Sequence, residues 1–248
     1  MPEAPDLFVV REFLEARLTG RKIIAGTERR PLVLRNMTGP GVPGFSQDIA
    51  GRPVTAVRRR GKLLTFGLGP ERLLIVSPML TGALRYCEPQ ARMEASAHLV
   101  FDLDYGMQLR YLDEKRMGQV YYLPPHRLGD IVRLDMQGPD VLDEPLDFAA
   151  FRRALKPFRG EIKGVLTRGH AVSGIGNAYS DEVLFAAKLY PFRKVTRLSD
   201  QELHRLHASC YEVPRRAVAT LRERIGAGHP QKSPRLSPIP AAGASRGR

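Results

Sequence analysis

Near the start of the chain, apolar residues recur at three- and four-residue spacing. Val9, Val10, Phe13, Leu14 and Leu18 fall on one side, Arg11, Glu12, Glu15 and Arg17 on the other, and Gly20 ends the run. This predicts an amphipathic helix over 5–18, stopped by glycine. From about residue 21 to 125 the pattern changes to short, strand-like runs separated by Gly and Pro, at 21–24, 32–35, 53–58, 62–68, 73–76, 83–87, 98–104, 107–112 and 119–123. Such a density of short runs predicts an antiparallel sandwich or barrel rather than βαβ units. The stretch 36–51, rich in Gly and Pro, reads as a surface loop.

Residues 124–146, with Pro124-Pro125, Gly138-Pro139 and Pro145, read as connecting chain. Helical periodicity follows at 147–155, 161–168, 177–187, 200–208 (after the N-cap candidate Ser199) and 214–225. The expected fold class is therefore α+β. An N-terminal helix and β-sandwich occupy 1–130, a linker 131–146 and a helical domain 147–225. The remaining stretch, 226–248, has four prolines, four glycines, four basic residues and no acidic one, and reads as a disordered basic tail.

Composition narrows the partner. The 248 residues carry 39 Lys and Arg against 26 Asp and Glu, a net charge of +13. That excess points to a polyanion. No run approaches a transmembrane length and no segment has a signal-peptide layout, so nucleic acid is favoured over membrane, in a cytoplasmic protein, nucleoid-associated if bacterial. Cys87 and Cys210 lie far apart with no CxxC context, which offers neither a disulfide framework nor a structural zinc site. The close pair His204 and His207 reads as a solvated helix face, not a metal site.

Three places carry candidate chemistry. Removal of Met1 would leave a secondary amine at Pro2, with Glu3 beside it as general acid or base. A secondary amine that attacks a sugar C1′ forms a cationic iminium, an electron sink for elimination. An α-amino group, with a pKa of about 7.7–8.0 against about 10.4 for lysine, also has far more free base at neutral pH. The same residues make an ordinary helix start. Lys62 follows the basic run Arg58-Arg59-Arg60-Gly61; placed at a hairpin it can donate to a phosphate or a sugar oxygen, or merely decorate a solvated turn. In Ser173-Gly174-Ile175-Gly176-Asn177 two glycines precede a helix that Asn177 can cap, and such a helix start can hold an anion.

Together, Pro2-Glu3, the Arg-Gly-Lys62 hairpin, Ser77-Pro78-Met79-Leu80-Thr81-Gly82, Asp113-Glu114-Lys115-Arg116-Met117-Gly118 and Gly174-Ile175-Gly176-Asn177 followed by Ala-Tyr-Ser-Asp-Glu resemble the formamidopyrimidine-DNA glycosylase/endonuclease VIII family over residues 1 to about 225. The resemblance implies a helix-two-turn-helix domain after the sandwich, and damaged double-stranded DNA as partner of a monomer. It implies excision of oxidised bases through a Pro2 Schiff base, followed by β- and δ-elimination. Glu3 would be the acid/base, and Lys62 a phosphate-binding and catalytic residue. Asn177, with Lys163, would hold the backbone, and Leu80, Lys115 and Met117 would fill the gap left by the flipped nucleotide. Glu182 would be structural.

The chain departs from the family pattern in lacking the usual four-cysteine zinc finger, so no zinc or other cofactor is expected. Lys115 and Met117 replace the usual arginine and phenylalanine, which should weaken selectivity for the opposite base. Preference between oxidised purine and pyrimidine stays open, with a lean towards an endonuclease VIII-like or broad range. The alternative is a non-catalytic paralogue that recognises damaged or bent DNA.

Overall fold

The computed structural model describes residues 1–131, 137–143 and 145–226. Helix α1 (Ala4–Leu18) is followed by strands β1 (Ile23–Glu28) and β2 (Leu34–Asn36). Helix α2 (Phe45–Ile49) precedes β3 (Val54–Arg60), β4 (Leu63–Leu68), β5 (Arg72–Ser77), β6 (Gly82–Cys87), β7 (Ala97–Leu103), β8 (Gln108–Asp113) and β9 (Gln119–Leu123). The strands form two sheets, ordered β1-β7-β8-β6 and β2-β9-β5-β4-β3. Their facing apolar residues, among them Leu64, Phe66, Leu74, Phe101, Leu109 and Tyr122, make one core, as alternating strands in a sandwich must. All pairings are antiparallel except β2 with β9, which is parallel.

Two expectations for this half are corrected. The first strand runs over Ile23–Glu28, later than 21–24. The expected loop 36–51 contains α2, whose Phe45 and Ile49 are buried in the sandwich core. Asp48 on that helix accepts hydrogen bonds from Arg52, Arg72 and Tyr122. Burial pushes the Asp48 carboxyl up, but those bonds prevail and hold it down at about 2. Gly- and Pro-rich composition signals turns, and it concealed a single helical turn anchored by tertiary contacts.

After a 3-10 turn at Pro125–Asp130, the helical half contains α3 (Phe148–Leu155), α4 (Ile162–Arg168), α5 (Asn177–Ala186) and α6 (Asp200–Ile225). Asp147 caps α3 through the Ala150 amide, and Ser199 with Glu202 forms a capping box on α6. The two helices expected at 200–208 and 214–225 are one. Pro214 lies inside it, where the missing N–H and ring clash cost about 3 kcal/mol. Leu206, Cys210, Val213, Ala217 and Leu221 are buried along the uninterrupted helix. Each fully buried Leu or Val among them contributes about 1.5–3 kcal/mol, enough together to offset the break.

Helix α1 joins the halves. Leu7, Leu14 and Leu18 enter the sandwich core, Ala4 enters the helical core, and Val9 packs on Val218 and Leu221 of α6. Its buried residues therefore wrap more than the single stripe the sequence pattern suggested. Part of the expected linker is also ordered by docking. The Asp140 carboxylate, 3% exposed, forms two bonds to Arg59, at 2.6 and 2.8 Å, and accepts from the Gly61 amide at 2.5 Å. Val141 N–H donates to Ser173, and Gly138 N–H to Gly169. The expected tail at 226–248 lies outside the described residues except for Gly226, which ends α6.

Candidate active site and DNA interface

The chain's N-terminus lies against the start of α5. Glu3 is 2% exposed, and its carboxylate accepts N–H bonds from Gly176 (2.6 Å), Ala178 (2.9 Å) and Tyr179 (3.2 Å). The amide of Ala4 donates to the Gly174 carbonyl at 2.9 Å. Both glycines are required by this approach. A Cβ on Gly176 would stand 2.5 Å from Glu3 Cδ, and Gly174, at φ +100°, would place a Cβ 2.7 Å from that of Ala4.

This changes the reading of the glycine turn. The N-cap of α5 is Gly176, and Asn177 is the first helical residue, with its side chain exposed. The anion at the positive end of the helix is the Glu3 carboxylate itself, so those amides do not remain for a phosphate. Asn177 can reach an external partner only through its side chain or other groups of the turn. Sequence order hid this because a carboxylate 173 positions away supplies the cap.

Asp6 completes the arrangement by accepting the Glu3 N–H at 2.8 Å. Burial, reinforced by the neighbouring Glu3 charge, pushes its carboxyl up to about 6 against the opposing Glu3 N–H bond. Burial also raises the Tyr179 phenol, and the Asp6, Glu3 and Glu182 carboxylates add to that rise. Glu182 is half-buried on α5 beside this acidic group.

In front of the buried Glu3 lies a cleft of about 340 Å³ lined by Pro2, Lys62, Ser77, Met79, Arg168 and His170, among others. Lys62 Nζ donates to the carbonyls of Thr167 and Ile175, each at 3.3 Å, so hairpin β3–β4 reaches the helical half at the cleft. None of the described lining residues is acidic. Two larger clefts, of about 520 and 480 Å³, lie elsewhere, one beside Phe148 and Leu203 and the other beside Arg85 and Arg92. Volume alone would miss the place where Pro2, Lys62 and the α5 turn converge.

Leu80, Lys115 and Met117 come together at one end of the sandwich. The β5–β6 and β8–β9 connections cross between the sheets side by side, since Ser77 pairs with Gln119 and Gly82 with Asp113. Thr81 Oγ1 donates to buried Asp113, the Lys115 amide donates to Thr81 Oγ1 at 3.0 Å, and the Gly118 amide donates to Asp113 at 2.7 Å. Leu80 (43% exposed) and Met117 (49%) remain at the surface. Lys163 is placed differently from the expectation that it joins Asn177 on a shared ligand. Its ammonium bonds both carboxylate oxygens of Asp181 on α5, at 2.7 and 2.9 Å, which ties α4 to α5.

Sequence reasoning gave no role to Arg59, Asp140, Thr81, Asp113 or Arg168. The Arg58–Arg60 run was visible, but which of its members is buried depends on Asp140, 81 positions on. Among the described residues, Cys87 lies on β6, Cys210 is buried in α6, and no three His, Cys, Asp or Glu converge.

Comparisons with known proteins agree with this architecture. The formamidopyrimidine-DNA glycosylase N-terminal domain matches residues 1–120, and the formamidopyrimidine-DNA glycosylase H2TH domain matches 137–227. A formamidopyrimidine-DNA glycosylase of Corynebacterium glutamicum strain R is 35% identical over 232 residues, covering 88% of this chain and 79% of that protein. The Lactococcus lactis FPG (MutM) bound to FAPY-dG containing DNA superposes with a TM-score of 0.79 at 29% identity, covering 88% of this chain and 80% of that one. A MutM structure with carbocyclic 8-oxo-G containing DNA gives 0.81 at 29%, covering 92% and 84%. A buried N-terminal glutamate on a glycine-led helix, a sandwich with paired crossovers and a helical DNA-binding half thus occur in one chain, and it belongs to the formamidopyrimidine-DNA glycosylase family.

Proposed function

We propose that the protein is a base-excision-repair DNA glycosylase with AP lyase activity, acting as a monomer on damaged double-stranded DNA with Pro2 as nucleophile. The observation that carries this reading is the convergence of Pro2, the Lys62 ammonium and the Glu3-capped α5 turn at one cleft. The relatives' names and their DNA complexes support the same substrate. They favour ring-opened and oxidised purines over the endonuclease VIII-like range.

After Met1 is removed, the Pro2 nitrogen attacks C1′ of the extruded nucleotide. The glycosidic bond breaks, the departing base takes a proton, and an iminium remains. Glu3 supplies acid/base function for base release and sugar-ring opening. Loss of a C2′ proton then expels the 3′ phosphate, and δ-elimination expels the 5′ phosphate. Lys62 neutralises backbone charge near the reacting sugar, Asn177 holds the adjacent backbone, and Leu80, Lys115 and Met117 occupy the emptied stack. These steps use only amine, carboxylate and ammonium groups of the chain. No described helix is long and apolar enough to cross a membrane.

Borohydride reduction in the presence of abasic duplex should trap a covalent protein–DNA adduct from protein shown by intact mass to lack Met1. Pro2→Gly should lose or strongly reduce cleavage while retaining DNA binding. Absence of any adduct from the Met1-free protein would overturn the catalytic reading and favour a non-catalytic DNA-binding paralogue.

A further inference from the structure

We propose that Arg168 is a second phosphate-binding cation of the cleft, gripping the DNA backbone beside the extruded nucleotide alongside Lys62. The inference rests on the reading that the cleft takes DNA.

Arg168 is the last residue of α4, exposed, and a lining residue of the same cleft as Pro2 and Lys62. Among the described residues it has no hydrogen-bond or ion-pair partner. Several other arginines, buried or half-buried, are used structurally. Arg59 pairs with Asp140, Arg52 and Arg72 with Asp48, and Arg110 with Glu94. Arg168 has no such partner, although its neighbour Thr167 receives the Lys62 ammonium at 3.3 Å. Two cations therefore share one wall of a cleft in which no described lining residue is acidic. Like charges so arranged repel, and an anion bound between or across them relieves the repulsion.

The backbone at Arg168 is fixed by the glycine that follows it. Gly169 takes the left-handed conformation at φ +81°, and its carbonyl accepts the Gly138 amide from the docked segment of the connecting chain. A cation at a helix C-terminus is favoured by the helix dipole, which accounts for an arginine at this position facing solvent anywhere. It does not account for one that lines the cleft beside Lys62. A guanidinium presents a planar fork that matches phosphate oxygens in pairs, whereas an ammonium acts as a point charge. The two cations can thus divide the work between orientation and neutralisation.

The test measures binding to a duplex carrying a stable abasic-site analogue over a series of salt concentrations, for wild type, Arg168→Ala and Arg168→Lys. The exposed position predicts an unchanged thermal midpoint in both variants. Arg168→Ala should bind about tenfold more weakly, equally for different flanking sequences, with the slope of log K against log salt reduced by about 0.9. Arg168→Lys should restore the slope but only part of the affinity. Unchanged affinity and slope in Arg168→Ala would overturn the proposal, as would a loss confined to one lesion base with the slope intact. Borohydride trapping of wild type separates the two claims. Trapping with an inert Arg168→Ala variant defeats only this inference. A reduced slope without trapping in wild type leaves a DNA grip and defeats the chemistry.

Discussion

The Glu3 carboxylate accepts the Gly176 amide at 2.6 Å although 173 positions separate the two residues. One side chain thus supplies both the candidate general acid and the anion that satisfies the first turn of α5. The nucleophile's neighbour and the turn that presents Asn177 are mechanically one unit. Any change that moves one moves the other.

Glu3→Gln should therefore destabilise the fold as well as abolish base excision. The substitution replaces a charged acceptor of three amides with a neutral group that has a single acceptor oxygen. Charge-assisted bonds of this kind contribute about 1.5–3 kcal/mol each, so a net loss of about 2–3 kcal/mol is expected. Urea unfolding measures it, and an unchanged midpoint would show that the cap is energetically idle.

Gly176→Ala should impair both stability and cleavage, because its Cβ would stand 2.5 Å from Glu3 Cδ. Overpacking of this type costs about 1–3 kcal/mol. Gly160→Ala is the comparison, since nothing lies within 4 Å of a Cβ there. Activity and thermal midpoint of the two variants, measured side by side, should differ clearly.

Asp140→Ala should cost about 3–5 kcal/mol by leaving the buried Arg59 guanidinium unpaired. It also strips acceptors from the Gly61 and Leu142 amides. Removing Arg59 together with Asp140 should not restore wild-type stability, since those amides stay unsatisfied. Limited proteolysis should show faster cutting between the two halves in either variant.

Thr81→Val should loosen the two sheet crossovers from each other while leaving the sandwich core intact, because Thr81 bridges Asp113 and the Lys115 amide. Affinity for lesion-containing duplex should fall severalfold. Cleavage of a single-stranded abasic oligonucleotide, which has no stack to fill, should change little.

Stability should depend on pH in two opposite ways. Asp6 is raised from 3.8 to about 6, so its contribution is fully present below about 3.8 and is lost as pH rises through about 6. Asp48 is lowered from 3.8 to about 2, so its contribution is present above about 3.8 and is lost as pH falls through about 2. Urea midpoints should fall between ~pH 4 and ~pH 6, and Asp6→Asn should flatten that decline.

Residue patterns alone determined the helix at the start, most strands, the change to helices after the connecting chain, and the basic charge that calls for a polyanion. Each rests on local information: periodicity, a glycine or proline that breaks it, a capping residue such as Ser199. The Pro2-Glu3 pair, Lys62 and the glycine turn were also visible as residues. Tertiary structure alone decided that Glu3 caps α5, that Asp140 holds Arg59, that Lys163 pairs with Asp181, and that Thr81 and Asp113 tie the connection carrying Leu80 to the one carrying Met117. It also carried α6 through Pro214, whose local signal says stop. Those pairings bring groups together across 18 to 176 positions. A buried carboxylate or amide must find a partner wherever folding places one, and no short-range periodicity encodes where that will be.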